Sequence, residues 1–126
     1  LRNLPNYHYV EAPTTTCKFV FQMDDQEKME YSQQVRQHFA DTVEAVKKYH
    51  AKLLVMDEVL DAVAMGMLSD EALAEFLRNR PEDLEVVMTG RAPTPCTDPL
   101  ADYITRMQKV RHPFDKGLNA RLGVEF

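Results

Sequence analysis

The 126 residues carry a formal net charge of −5, with 44% hydrophobic and 28% charged side chains. That length gives one domain, residues 1–126, able to bury a core without staples, and the balance is that of an ordinary globular chain. The acidic excess argues against nucleic acid as the main partner, because neutralising phosphates takes a basic face, and no apolar run is long enough to span a bilayer.

Cys17 and Cys96 lie far apart and in no C-x-x-C spacing, which fits a reducing cytoplasm better than a disulfide framework. His8, His38, His50 and His112 are scattered, so zinc is not expected. The chain opens on Leu1 rather than Met, inside structured-looking sequence; the expectation is that a segment precedes it.

In chain order, Pro5 stops a first short segment, and the aromatic, β-branched run Tyr7-His8-Tyr9-Val10 predicts a short strand. Lys18-Phe19-Val20-Phe21 reads as a strand end or an aromatic loop, and spacing alone favours core packing for both phenylalanines. Asp24-Asp25 supplies cap and first-turn acids for a long helix from about Gln26 to Tyr49. Its apolar stripe is Val35, Phe39, Thr42 or Val43, and Val46; Gln33, Arg36, Asp41, Glu44, Lys47 and Lys48 form the solvated face.

Leu53-Leu54-Val55-Met56 is short, uninterrupted and β-prone, the pattern of a strand buried on both faces of a parallel sheet. Two adjacent acids, Asp57 and Glu58, follow it. Ligands gather beyond the carboxyl ends of such strands, and paired acids there can serve Mg²⁺. Equally, the two acids can merely begin a solvated helix.

Val59 to Met65 predicts a short helix closed by Gly66, and Ser69 caps another with Leu73, Phe76 and Leu77 buried. Met56, Met65 and Met67 read as adaptable core. Leu84 to Thr89 is the next strand, followed by Gly90-Arg91, either a phosphate contact or turn chemistry. Ala92 to Pro99, with its three prolines, is a loop, and Tyr103 to Val110 reads as a last strand before a polar, basic tail. This alternation implies an α/β fold, a mostly parallel sheet with helices on both faces, like a P-loop NTPase (RecA-like) core. Yet no G-x-x-x-x-G-K-[ST] occurs in these 126 residues, so the core is expected here without its N-terminal strand and P-loop.

From Lys18 onward the chain resembles the P-loop-type ATP:corrinoid adenosyltransferases. The resemblance rests on Phe19-Val20-Phe21, Leu53 to Val59, Leu77-Arg78-Asn79-Arg80-Pro81, Leu84 to Arg91 and Leu100-Ala101-Asp102-Tyr103. It continues through Lys109 to Gly117 and Ala120 to Phe126, all in order and with family-like spacing. The resemblance implies transfer of the 5′-deoxyadenosyl group of ATP to the Co(I) centre of a corrinoid, releasing triphosphate, in cobalamin biosynthesis or salvage. The acceptor would be cobalamin, cobinamide or a cobyrinic acid diamide.

Carried over residue by residue, Asp57 and Glu58 would be the catalytic acids and would hold Mg²⁺ (or Mn²⁺). Phe19 and Phe21 would pack against the corrinoid and, by excluding an axial ligand, ease reduction of Co(II); Phe21 stands where many relatives carry Trp. Thr89 and Arg91 would meet the nucleotide, and Lys109, His112, Lys116 and Arg121 its edge or the structure around it. An electron donor that reduces Co(II) to Co(I) and a second copy in a homodimer are implied partners. A missing first strand would leave a central sheet edge open for another chain, and the 126 residues alone are expected not to transfer adenosyl. Two other readings are a non-catalytic corrinoid-binding or interaction module and an unrelated RecA-like ATPase.

Overall fold

Asp24 opens the longest element of the computed structural model, which describes residues 4–12, 20–119 and 121. Its Oδ1 accepts the Glu27 N–H at 2.8 Å, and the Glu27 carboxylate accepts the Asp24 N–H at 3.0 Å. This reciprocal box satisfies two donors that a helix otherwise leaves orphaned. The helix it starts, α1, runs Asp25–Tyr49 and ends where His50 turns left-handed at φ 49°. Asp24→Ala is therefore expected to cost about 1 kcal/mol in a urea titration. Ser32, Thr42 and Val46 are its buried positions, with Val35 and Phe39 half-buried against the core. Every residue expected on the solvated face is exposed.

Strand β1 (Leu53–Met56) follows, then helices α2 (Val59–Ala64) and α3 (Asp70–Arg78), then strand β2 (Glu85–Met88). Gly66, at φ 73°, stops the α2 segment, and the Ser69 hydroxyl caps α3 by accepting the Ala72 N–H at 3.3 Å. The strands pair in parallel, Leu53 beside Glu85 and Met56 beside Met88. The described residues thus form an α/β fold around a small parallel sheet.

Strand alternation sorts the sheet into two unlike faces. Leu54, Met56, Val86 and Met88 face Leu60, Leu68 and Leu73, with Val35, Phe39, Val63 and Phe76 packed around them. Phe39 meets Phe76 edge-on, ring centroids 5.9 Å apart. The Ser32 hydroxyl donates to the Met67 carbonyl at 3.3 Å and ties α1 to the α2–α3 corner.

The other face corrects the expectation that β1 is buried on both sides. Leu53 and Val55 are 58% and 59% exposed, beside exposed Glu85 and Val87. Among the described residues the helices cover one face only. Met56 and Met67 are core, whereas Met65 is exposed.

Two expected strands are absent. Residues 7–10 have no regular structure and lie along α1, where His8 stacks on Tyr49 with ring centroids 3.6 Å apart. Residues 103–110 are likewise irregular, with Tyr103, Met107 and Val110 almost fully exposed. Aromatic and β-branched residues favour a pleated surface only where a neighbouring strand pairs with them. Of the Lys18–Phe21 run, Lys18 and Phe19 lie outside the described residues, and Val20–Gln22 forms a single 3-10 turn.

Candidate functional site

The parallel register brings the carboxyl ends of β1 and β2 side by side, so Asp57 and Thr89 leave the sheet as neighbours. The Thr89 hydroxyl donates to Asp57 Oδ1 at 2.6 Å and accepts the Glu58 N–H at 2.8 Å. The Thr89 backbone is held as well: its N–H donates to the Met56 carbonyl at 3.1 Å, and its carbonyl accepts the Leu60 N–H at 3.3 Å. One threonine therefore stitches the end of β1 to the first turn of α2.

Glu58 sits at the cap of α2 in the left-handed region, φ 55° and ψ 18°, and its side chain makes no cap bond. For a residue with a Cβ this conformation costs about 1–2 kcal/mol, so its surroundings must enforce it. The bond to Thr89 is one such constraint. Both carboxylates are exposed.

Gly90 explains how closely β2 can leave the sheet past α2. At φ 155° a Cβ on this residue would sit 2.6 Å from the Leu60 Cβ and 3.2 Å from the Asp61 nitrogen. The glycine is a close-approach residue, since a side chain there would run into the start of α2. Immediately after it, the Arg91 N–H donates to Asp61 Oδ1 at 3.2 Å. Asp57, Glu58, Thr89 and Arg91 are thus brought together at one edge, and Asp61 joins them. Asp61 was missed by sequence reasoning, because the group its carboxylate accepts from is a backbone N–H beyond the second strand.

Among the described residues no group of three or more His, Cys, Asp or Glu side chains is arranged to hold a metal ion by itself. Two exposed carboxylates do fit Mg²⁺, a hard cation that protein sites commonly bind through one or two carboxylates, leaving the rest to water and phosphate. Asp57 and Glu58 are the residues that would hold it.

A second polar knot ties the start of α3 to the loop after β2. The Asp70 carboxylate accepts the Thr94 hydroxyl and, at 3.0 Å, the Cys96 N–H; the Thr94 and Thr97 hydroxyls lie 2.7 Å apart. Thr94 and Thr97 are buried. Burial works against the charged form of Asp70, but the Thr94 hydroxyl and the Cys96 contacts hold its pKa below the usual carboxylate value of 3.8. The same carboxylate, followed by burial, pushes the Cys96 thiol up, which makes Cys96 a poor nucleophile. Cys96 is a free thiol, and Cys17 lies outside the described residues.

A lowered folded-state pKa means the bound carboxylate stabilises the fold above the unfolded value and ceases to do so as pH falls through the folded one. The stability difference between wild type and Asp70→Asn should therefore be constant above about pH 5 and shrink below about pH 4. Urea midpoints at pH 7, 5, 4 and 3 would read it; a difference that grows on acidification contradicts this role.

The remaining site candidates are more dispersed. Phe21, on the 3-10 turn before α1, is 81% exposed, and Phe19 lies outside the described residues. Lys109 pairs with Asp115 at 2.7 Å, and His112 Nδ1 accepts the Phe114 N–H at 3.1 Å, opening the turn Pro113–Lys116. These bonds are local to the tail and do not reach the strand ends. Lys116 and Arg121 are exposed. A broad groove lies elsewhere, between residues 7–11 and the last turns of α1, and among the described residues none of the expected site residues lines it.

The comparisons with known proteins agree with one another. A family model described as ATP:corrinoid adenosyltransferase BtuR/CobO/CobP matches residues 2–126. A corrinoid adenosyltransferase of Escherichia coli K12 is 27% identical over an alignment covering 99% of this chain and 63% of that protein. The corrinoid adenosyltransferase CobA of Salmonella typhimurium is 28% identical over the same shares. A Pseudomonas aeruginosa corrinoid adenosyltransferase is 38% identical over 59% of this chain and 36% of that protein. The chain spans less than two thirds of the length of these relatives. On the strength of the match along nearly all its residues, this chain belongs to the ATP:corrinoid adenosyltransferase family BtuR/CobO/CobP.

Proposed function

We propose that this chain is the metal-side and corrinoid-side part of an enzyme that transfers the 5′-deoxyadenosyl group from ATP to a reduced corrinoid. The observation that carries the reading is the convergence of Asp57, Glu58, Thr89 and Arg91 at the carboxyl ends of two parallel strands. That is where ligands of open α/β sheets bind, and membership of the family supplies the reaction. The relatives are named for corrinoid adenosyl transfer; the substrates are proposed for this chain by that kinship.

In the proposed reaction the Co(I) centre donates an electron pair to C5′ of ATP. The C5′–O5′ bond breaks, a Co–C bond forms, and triphosphate leaves with the bonding electrons. No proton must move at the reacting carbon, so the protein's work is alignment and charge compensation. Glu58 and Asp57 would hold Mg²⁺, which would supply positive charge to balance the triphosphate. Arg91, anchored at its backbone by Asp61, offers a guanidinium to a phosphate or ribose oxygen. A P-loop NTPase core would complete the phosphate cradle, since the 126 residues contain no G-x-x-x-x-G-K-[ST].

Phe21 supplies the corrinoid side. An exposed aromatic ring at 81% accessibility suits packing against a flat macrocycle and keeping water from the cobalt. The one-electron reduction of Co(II) to Co(I) comes from an external donor, in a cytoplasmic setting. A homodimer belongs to the same proposal. Among the described residues no helix is long and apolar enough to cross a membrane.

The test is Mg-ATP added to the intact protein with Co(I) corrinoid, reading Co–C bond formation by absorbance and triphosphate by ion chromatography. Both products should appear in equal amounts. Phe21→Ala should slow the reaction about tenfold or more from Co(II) with reductant and far less from preformed Co(I), as expected for a group that acts on one step. ATP consumed to ADP without corrinoid would instead favour a plain ATPase. Corrinoid binding with no triphosphate would favour a non-catalytic binding module.

A further inference from the structure

We infer that Thr89 is a positioning residue that makes the two acids unequal, keeping Asp57 engaged and leaving Glu58 as the open carboxylate for a divalent cation. The inference rests on the proposed metal site and goes beyond it by assigning different tasks to its parts.

A threonine hydroxyl has one proton and two lone pairs. The Glu58 N–H, 2.8 Å away, can only donate, so it takes a lone pair. The hydroxyl proton is then directed to Asp57 Oδ1 at 2.6 Å, the short distance of a bond to a charged acceptor. Asp57 thereby has one oxygen spoken for and its rotamer fixed. The Glu58 side chain makes no cap bond, and no hydrogen bond or ion pair engages its carboxylate among the described residues. Its backbone turns left-handed at a corner that Thr89 pins.

Thr89 is suited to the task because it cannot easily swing away. Its own N–H and carbonyl are tied to Met56 and Leu60, and a β-branched side chain has few χ1 wells. Outer partners that orient metal ligands typically contribute 10–100-fold to metal affinity. Valine matches the shape of threonine without the hydroxyl, and serine keeps the hydroxyl without the methyl.

The test uses the intact protein with ATP, titrated with Mn²⁺ and read by electron paramagnetic resonance, together with hydrogen exchange at the Glu58 amide. Thr89→Val should weaken Mn²⁺ binding about 10–100-fold and speed Glu58 amide exchange, while Thr89→Ser restores both. Glu58→Gln should lose more affinity than Asp57→Asn. Circular dichroism of each variant separates these effects from unfolding, and Thr89→Ala, which also lacks the hydroxyl, supplies the reading if the valine variant does not fold. Unchanged Mn²⁺ affinity and Glu58 exchange in Thr89→Val would overturn the role of Thr89 while leaving the metal site intact. No Mn²⁺ binding by wild type, with Glu58 exchange still sensitive to Thr89→Val, would overturn the metal reading and with it the assignment of Glu58. Equal losses in Asp57→Asn and Glu58→Gln would overturn the division between them.

Discussion

Glu58→Gln in the intact protein is expected to slow adenosyl transfer about 100-fold or more, the usual scale for removing one preorganised electrostatic contact from a transition state. Glutamine keeps the length and shape of the side chain and adopts the same backbone, so the corner at φ 55° stays as it is. What disappears is a negative charge facing the proposed cation. The side chain is exposed and makes no cap bond, so thermal stability should change by less than about 0.5 kcal/mol. Extra Mg²⁺ should recover part of the rate, because the loss lies in holding the ion. Triphosphate release at two Mg²⁺ concentrations reads both effects. A variant as fast as wild type would remove Glu58 from the metal site and leave Asp57 to be examined alone.

The strand and its acids were legible because they depend on local sequence. An apolar run followed by Asp57-Glu58 fixes where a strand ends, whatever surrounds it. The same holds for α1, whose Asp24 and Glu27 sit at cap spacing, and for α3 behind Ser69. What local sequence does not encode is which strands find neighbours. Tyr7 to Val10 and Tyr103 to Val110 have strand-like composition, yet the first lies on a helix and the second stands in solvent.

The burial of β1 was overestimated for a related reason. An uninterrupted apolar run states that no position requires water, not that every position avoids it. The better clue lay 32 residues later. Glu85, an acid paired in register with Leu53, marks that side of the sheet as able to face solvent.

At the site, residue types were legible and their division of labour was not. Thr89 was expected to meet nucleotide with Arg91, and whether it does so is a separate matter from the bonds its hydroxyl makes with Asp57 and Glu58. Those bonds join positions 31 and 32 residues apart. Only the parallel register, which no short motif specifies, brings them within reach. Asp61 escaped for the same reason, since its partner is a backbone N–H beyond the second strand.

Leu73→Ala should cost about 2–5 kcal/mol in urea unfolding, the range for emptying a buried leucine site. Leu73 is fully buried and belongs to the cluster of Met56, Leu60 and Leu68 beneath the sheet. For a domain whose total stability is typically about 5–15 kcal/mol, that is a large fraction. The loss should also reach the site, because Met56 immediately precedes Asp57 and Leu60 lies within the first turn of α2. A cavity under both residues loosens the platform on which Thr89 holds the acids, so Glu58 amide exchange should speed up before global unfolding does. Val55→Ala is the matched control: it removes methyl groups one residue before Met56, but from the exposed face. It should change stability by less than about 1 kcal/mol, since little apolar area is withdrawn from water there. Equal costs for the two substitutions would mean that Val55 is covered in solution, and that the face open among the described residues is closed by another chain or by more of this one.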